Sequence, residues 1–407
     1  MLEGRRVLLG VSGGIASYKS CILARLLTQA GARVSVALTR GAVQFVGPVT
    51  FEALTGQPVL TSLWQPGQAL DHVRLPQRVD LIIVAPATAH LMSRAAQGLA
   101  DDLLTTMLVA RTAPLLLAPA MNDDMYQHPA VQGAMDLLAG QGAVLVGPAV
   151  GDLAEGPSSR PGRMVEPETI FNHAVRLLRR GGALDGSHVV VTAGPTRESI
   201  DPVRFVSNRS SGRMGYALAQ AAWWRGATVT LITGPSSLPV PDGPTLERVE
   251  TTADMAEAVA TVRPEADVLI MAAAPSDYRP GDPATVKRPR ADGDFVVTME
   301  PTSDILMGTA EARRPGSTTV GFALETGDAV EKGRAKLVRK DLDMIVINDA
   351  LEAGAGFEVD TNRVTIIERD GRLTECPLQT KVEVAEAILD VVERHRVSQK
   401  AVSGAAN

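Results

Sequence analysis

The chain has little cysteine and no apolar run long enough for a membrane. Only two cysteines occur in 407 residues, Cys21 in a predicted helix and Cys376 far from it. They can build neither a disulfide framework nor a cysteine-based zinc site. The apolar runs at 81–86 and 114–119 are too short to cross a bilayer, and the N-terminus lacks a signal-peptide pattern. We therefore expect a cytoplasmic protein with no membrane partner.

The chain also lacks an excess of positive charge. Its 40 basic and 46 acidic residues give a net charge of -6, and no dense basic tract occurs. This balance argues against nucleic acid as a partner but leaves small anionic substrates open, because local clusters can bind them. At 407 residues the chain exceeds what one hydrophobic core usually supports, so two domains are expected.

Two stretches, 7–38 and 189–235, repeat one pattern of strand, Gly/Ser-rich loop, amphipathic helix, glycine and strand. The pattern predicts β-loop-α-β units and therefore two doubly wound domains. Neither loop is a complete G-x-G-x-x-G or Walker sequence, so each indicates only a phosphate-bearing ligand. The Gly181-Gly182 pair marks the predicted boundary.

The predicted domains are 1–182 and 183–398, followed by a disordered tail at 399–407. A terminal helix is expected over 381–394. The Gly/Pro/Ser-rich stretch 147–163 is typical of a mobile flap.

The loop before the helix of the second stretch combines small and cationic residues, and it predicts an anion site at a helix N-terminus. The residues are Arg204, Ser207, Asn208, Arg209, Ser210, Ser211, Gly212 and Arg213. The alternative is ordinary surface charge, which the Gly/Ser context disfavours.

Several single residues have both a functional and a structural interpretation. His72, in a predicted loop before a strand, is either a general base or a surface histidine. Asn122 follows a strand and either orients a carboxylate or amide or caps a helix. Asp277 is either a Mg²⁺ ligand or a helix cap. Lys336 and Lys340 share a helix face at i, i+4 spacing that is usually solvated.

Taken together, the ordered motifs narrow these alternatives. They are GVSGGIASYK, DHVRL, APATAHL, APAMNDDMY, GRMVEP, TAGPTRESIDPVRFVSNRSSGRMG, AAAPSDYRP, VGFALET and KLVRKDLDMIVIND. Over nearly its whole length the sequence resembles the bifunctional phosphopantothenoylcysteine decarboxylase / phosphopantothenate–cysteine ligase family of coenzyme A biosynthesis.

The resemblance implies an α/β fold with two doubly wound, Rossmann-like, three-layer domains. The N-terminal flavoprotein domain would use FMN to convert 4'-phosphopantothenoylcysteine to 4'-phosphopantetheine and CO₂. The C-terminal nucleotide-binding domain would make that substrate from 4'-phosphopantothenate, cysteine and CTP with Mg²⁺. The family also implies a homo-oligomer.

The resemblance assigns site residues position by position. In the decarboxylase, His72 matches the active-site histidine and Asn122 the asparagine that holds the substrate carboxylate. In the ligase, Asn208 matches a residue thought to stabilise the acyl-cytidylate, and Lys287 a lysine of a flexible loop. The FMN-contacting motifs contain Gly13, Ser17, Thr39 and Thr88. The nucleotide site would contain Asp277, Phe322, Lys336 and Lys340, beside Arg204, Ser210, Ser211 and Arg213 of the predicted anion loop.

The chain departs from the family pattern in two places. Glu155 stands where the family flap usually carries a cysteine, and one extra residue follows it. The expected KNPDI stretch is replaced by the sequence at 301–305, PTSDI. We expect Glu155 to be either a substitute proton donor for the reduced product, once flap closure desolvates it, or a solvated loop carboxylate.

Alternatives of other classes are a non-catalytic flavin-binding subunit and a ligase-only enzyme. Retention of both His72 and Asn122 favours catalysis, because a binding role needs neither.

Overall fold

The computed structural model describes residues 1–64, 70–290, 295–325, 327–349 and 359–405. The chain divides into two compact units, Met1–Arg179 and Arg180–Asn407, close to the predicted boundary. Each unit has its own sheet and its own buried apolar core.

The N-terminal unit contains one parallel sheet. Its strands are β1 (Arg6–Val11), β2 (Arg33–Leu38), β3 (Val59–Leu60), β4 (Leu81–Ala87), β5 (Leu115–Pro119) and β6 (Ala143–Leu145). They lie in the order β3-β2-β1-β4-β5-β6, with every neighbouring pair parallel. β4 is buried at every position, which accounts for its continuous apolar run. The strand order changes direction between β1 and β4, so a ligand crevice is expected beyond the carboxyl ends of these two strands.

Helices in this unit pack in two groups. They are α1 (Ser17–Gln29), α2 (Pro48–Thr55), α3 (Asp71–Arg78), α4 (Ala89–Ala96), α5 (Leu103–Val109), α6 (Asp123–Gln127), α7 (Pro129–Gly140) and α8 (Pro167–Arg179). α1 packs with α2 and α8, whereas α4 packs with α5 and α7, and α3 with α5. The predicted flap contains a small antiparallel sheet of β7 (Ala149–Val150) and β8 (Pro161–Arg163).

The predicted loop at His72 is wrong. His72 lies in the first turn of α3, directly after Asp71. An acidic residue in a first turn favours the helix because it complements the positive end of the helix dipole. A proline inside a segment disfavours a helix there, but Pro76 lies buried near the end of α3.

The C-terminal unit contains a larger, mixed sheet. The strands of this unit are β9 (His188–Ala193), β10 (Arg197–Ser199), β11 (Phe205–Ser207), β12 (Thr228–Thr233), β13 (Thr245–Arg248), β14 (Val268–Met271), β15 (Tyr278–Pro280), β16 (Met299–Pro301), β17 (Thr318–Glu325), β18 (Met344–Asp349), β19 (Thr361–Glu368) and β20 (Leu373–Thr380). The main sheet has the order β13-β12-β9-β14-β17-β18-β19-β20. Its first six strands are parallel and repeat the topology of the N-terminal sheet. The predicted hairpin at Asp370-Gly371 adds β19 and β20 antiparallel.

The helices in the described ranges of this unit are α9 (Arg213–Trp224), α10 (Thr252–Val262), α11 (Ile305–Gly308), α12 (Ala329–Arg339) and α13 (Lys381–Ala405). α13 does not end at Arg394, so the predicted disorder from residue 399 is wrong as far as Ala405, and the last two residues lie outside the described ranges. Arg396 explains the extension, because it is buried and donates to the Asp267 carbonyl at 2.8 Å. None of the described helices is both long enough and apolar enough to span a bilayer.

Candidate active sites

A cavity of about 910 Å³ opens at the carboxyl ends of β1 and β4. Gly13, Thr39 and Thr88 line it, as the FMN prediction requires. Ser17 does not line it: its hydroxyl donates to the carbonyls of Ser12 (3.1 Å) and Gly14 (2.7 Å). Ser17 therefore shapes the turn from within.

The turn after β1 is closely packed. A side chain at Gly13 would place Cβ 2.6 Å from the carbonyl carbon of Gly41, so glycine is required for the two loops to meet. The Ser12 hydroxyl bonds the Pro86 carbonyl at 2.7 Å and the Thr88 hydroxyl at 3.1 Å. These contacts join the ends of β1 and β4 next to the start of α1, where backbone N–H groups favour an anion. The size of the cavity and this polar edge suit a flavin phosphate.

Asn122 caps a helix through its amide oxygen and contacts a second predicted site residue through its amide nitrogen. Its Oδ1 accepts from the backbone N–H groups of Asp124 (2.9 Å) and Met125 (3.3 Å) and caps α6. Its Nδ2 lies in the cavity and donates to Oε2 of Glu155 at 2.7 Å. The structure thus brings together two predicted site residues that lie 33 positions apart.

The flap arm beyond Glu155 is fixed to α6. Arg160 binds Asp123 through Nε (3.0 Å) and Asp124 through a terminal nitrogen (2.8 Å). The Ser158 hydroxyl donates to Asp123 at 2.6 Å, and this bond, with the charge of Arg160, outweighs desolvation and lowers the pKa of Asp123. Gly162 lies so near Met121 that a Cβ would approach its carbonyl oxygen to 2.7 Å.

His72 is not part of this cavity lining. Its Nδ1 is buried and has no hydrogen-bond partner among the residues that the structure describes. The geometry of a single copy therefore does not join His72 to Asn122.

A second cavity, of about 480 Å³, lies at the equivalent place in the C-terminal unit, beyond β9 and β14. The predicted residues that line it are Asn208, Ser210, Ser211, Arg213, Asp277, Phe322, Lys336 and Lys340. The start of α9 borders it. Gly215 allows this close approach, because a Cβ there would lie 2.5 Å from Cβ of Ala193 and 2.8 Å from the carbonyl oxygen of Thr192.

Several polar groups of this cavity already have partners. Asn208 Nδ2 donates to the carbonyls of Ala274 (3.1 Å) and Pro275 (3.0 Å), which fixes the anion loop to the end of β14. Lys336 pairs with Glu325, and Lys340 with Asp304 at 2.9 Å. Burial opposes ionisation of Asp304, but the hydrogen bond and charge of Lys340 lower its pKa.

Asp277 is exposed at the rim of the cavity. Within the described ranges, no three His, Cys, Asp or Glu side chains form a cluster that could hold a metal ion. Mg²⁺ often binds through one or two carboxylates together with substrate phosphates. Asp277 therefore fits a metal that arrives with a nucleotide better than a resident one.

Comparisons with known proteins agree with this two-site architecture. Residues 1–179 match the flavoprotein family, and residues 184–395 match the DNA/pantothenate metabolism flavoprotein C-terminal domain. The coenzyme A biosynthesis bifunctional protein CoaBC of Bacillus subtilis is 46% identical over 397 residues, which cover 96% of this chain and 97% of that protein. The chain belongs to this CoaBC family. The CoaBC protein of Vibrio cholerae is 41% identical over 96% of this chain and 98% of its own length.

Among solved structures, the C-terminal domain of a CoaBC protein is similar with a TM-score of 0.45. It is 41% identical and covers 53% of this chain and 98% of that domain.

Two predicted site residues, Arg204 of the anion loop and Lys287 of the family pattern, lie outside the lining of the second cavity. Arg204 binds Asp201 at 2.6 Å and the carbonyl of Arg288 at 2.6 Å. Lys287, next to Arg288, is exposed. The structure thus places Arg204 in a contact that supports the Lys287 loop, and neither side chain lines the cavity.

Some residues that line the second cavity are not in the predicted set. Asn348, at the end of β18, donates to Oδ1 of Asn362 at 2.6 Å, and Lys381 starts α13 at the same wall. Desolvation, with the nearby charge of Arg213, lowers the pKa of Lys381. The polar pair Asn348-Asp349 after a buried strand was an available signal for this wall, whereas Lys381 and Asn362 carry none in the sequence.

Proposed function

We propose that the chain carries out two consecutive reactions of coenzyme A biosynthesis. The C-terminal unit joins 4'-phosphopantothenate to cysteine at the expense of CTP, through an acyl-cytidylate. The N-terminal unit then decarboxylates 4'-phosphopantothenoylcysteine to 4'-phosphopantetheine with FMN. The observation that carries the proposal is a cavity at the switch point of each unit, lined by most of the predicted site residues, in a chain that is similar to a CoaBC protein over 96% of its length.

When bound in the decarboxylase cavity, FMN would supply the two-electron redox chemistry of this reaction. The polar turn with Gly13, Thr39 and Thr88 would hold this cofactor, and Ser17 would keep the turn in shape. Asn122 would orient the substrate carboxylate through Nδ2, since its oxygen is engaged in capping α6. Positioning of this kind is a major part of what a protein contributes to such a reaction.

Glu155 is our candidate for the proton donor that the family cysteine usually provides. Its place at the tip of the flap turn and its bond to Asn122 support a position near the substrate. A hydride and one proton together convert the enethiol left after CO₂ loss into the saturated thiol. The ligase-only alternative rests on the same departure, because the flap at 147–163 contains no cysteine.

We propose that His72 acts across an interface between copies of the chain. Its position outside the lining of its own cavity supports this assembly, as does its buried Nδ1. Ile15, Tyr18 and Ile22 are exposed at and along α1 and could be covered in a homo-oligomer. A second copy would then complete the decarboxylase site.

For the ligase, we propose that the N-terminus of α9 and the loop residues Ser210, Ser211 and Arg213 bind nucleotide phosphate. Asp277 would contribute to Mg²⁺ binding, and Asn208 would stabilise the acyl-cytidylate. Phe322, Lys336 and Lys340 would complete the nucleotide site. Cationic groups and Mg²⁺ favour this route because they stabilise the departing pyrophosphate.

Lys287 and Arg204 have a less direct role in this proposal. We propose that the loop with Lys287 moves to the cavity when substrates bind, while Arg204 anchors it through Asp201 and Arg288. The chain would work in the cytoplasm with small molecules, and not with nucleic acid.

The decisive experiment is to incubate the purified chain with 4'-phosphopantothenate, cysteine, CTP and Mg²⁺ and to follow all products by mass spectrometry. We expect 4'-phosphopantetheine, CO₂, CMP and pyrophosphate. Accumulation of 4'-phosphopantothenoylcysteine without CO₂ would support the ligase-only alternative. Release of CDP and phosphate would contradict the acyl-cytidylate.

A further inference from the structure

The carboxamide of Asn122 has one group left for a ligand. Its Oδ1 accepts two backbone hydrogen bonds at the start of α6, so the side chain cannot flip without losing the cap. Its Nδ2 points into the cavity, and there it holds a carboxylate oxygen of Glu155 at 2.7 Å. This place in the cavity is therefore a carboxylate subsite that the chain itself fills.

The turn that carries Glu155 can leave without release of the flap. The turn is closed by two backbone hydrogen bonds between Leu153 and Gly156, of 2.9 and 3.1 Å, and Glu155 is exposed at its tip. The part of the flap beyond Glu155 is anchored by other contacts. Arg160 binds Asp123 and Asp124 of α6, and the Met121 N–H donates to the Gly162 carbonyl. Among the contacts of the described residues, the hydrogen bond from Asn122 is the one that holds the Glu155 carboxylate in the subsite, and it must break to free it.

We infer that Glu155 is an internal competitor of the substrate carboxylate in the decarboxylase cavity. This inference rests on the proposed function of the N-terminal unit. Two carboxylates repel each other at one donor, so an acidic ligand must displace Glu155 before Asn122 can hold it. The decarboxylated product has no carboxylate and does not compete. Glu155 therefore weakens binding of the acid relative to its product, and this role is separate from proton donation.

The test uses two unreactive ligands that differ only in the carboxylate. In 4'-phosphopantothenoylserine a hydroxyl replaces the thiol, and 4'-phosphopantothenoylethanolamine is the same molecule without the carboxylate. Calorimetry on the full-length, FMN-loaded protein gives both dissociation constants. For Glu155→Ala we expect binding of the acid to tighten about fivefold to tenfold, since a charge-assisted contact is removed from the free enzyme. Binding of the ethanolamine ligand should stay within about twofold.

Glu155→Gln and Asp152→Ala provide the controls. Glutamine can still accept from Asn122 but has no charge, so its effect on the acid should be smaller than that of alanine. Asp152 lines the same cavity three positions earlier, so Asp152→Ala measures how far a general loss of negative charge tightens the acid, and this effect should be smaller than that of Glu155→Ala.

Equal tightening of both ligands by Glu155→Ala, or no tightening of the acid, would overturn the inference while leaving the proposed function intact. Failure of the wild-type protein to bind either ligand would instead overturn the decarboxylase assignment, and the carboxylate subsite with it.

Discussion

His72 and Asn208 allow the two activities to be separated at single residues. His72→Asn should abolish CO₂ release and leave CTP-dependent ligation unchanged. Asn208→Asp should do the reverse, because a carboxylate cannot donate to the carbonyls of Ala274 and Pro275 and would be repelled by them. Each activity is measured on its own substrate, with thermal unfolding as the control for folding. Loss of both activities in either folded variant would contradict the assignment of one reaction to each unit.

Glu155 can be tested as the proton donor by its reaction products. Glutamine has no acidic proton to give, so Glu155→Gln should release CO₂ but accumulate the unsaturated enethiol. Glu155→Cys should restore full turnover to 4'-phosphopantetheine. Mass spectrometry distinguishes the two products, which differ by two hydrogens. If Glu155→Gln forms phosphopantetheine at the parent rate, the proton comes from another group.

At the scale of elements, α9 can meet the end of β9 only because residue 215 is glycine. Gly215→Ala would push a methyl group against Ala193 and the Thr192 backbone. We expect the C-terminal unit to lose about 1–3 kcal/mol of unfolding free energy. Urea unfolding followed by tryptophan fluorescence reports on this unit, since Trp223 and Trp224 are buried in α9. Gly308→Ala, where no atom lies within 4 Å, is the matched control and should change stability by less than about 0.5 kcal/mol.

The hairpin of β10 and β11 depends on the ionised side chain of Asp201. Burial would raise the pKa of Asp201, but hydrogen bonds from the Val203 and Arg204 N–H groups and from the Arg204 guanidinium lower it far below its ordinary value of 3.8. Because the folded pKa is the lower one, the contribution to stability is present above pH 3.8 and is lost as the pH falls toward the folded value.

Asp201→Asn should therefore destabilise the C-terminal unit at neutral pH. The difference from wild type should be constant down to about pH 5 and shrink below about pH 4. Urea unfolding at a series of pH values measures it. A difference that grows on acidification would mean that Asp201 is protonated in the folded protein at neutral pH.

At the scale of the whole molecule, we expect a coloured protein from which the cofactor can be removed. We expect the chain to purify yellow with non-covalently bound FMN, because the N-terminal cavity offers a polar turn and no covalent attachment group is expected. Absorbance of the native protein, and of the supernatant after acid precipitation, measures the flavin. A colourless preparation that takes up no added FMN would contradict the flavin proposal. Removal of FMN should leave ligation by the C-terminal unit intact.

The sequence by itself determined the two α/β units and most of their elements. The apolar runs of β1, β4 and β9 need only local periodicity to be recognised. The glycines at the strand ends also carry a local signal, which identified the turns that border both cavities. The structure confirms the doubly wound fold that these local patterns predict.

Only the tertiary structure decided which side chains meet. Glu155 reaches Asn122, Arg204 turns to Asp201 instead of the cavity, and Arg396 extends α13 past its predicted end. His72 was predicted in a loop but lies in α3, and it does not line the cavity. Such contacts depend on packing between segments far apart in the chain, whereas sequence periodicity reports only which face of an element is buried.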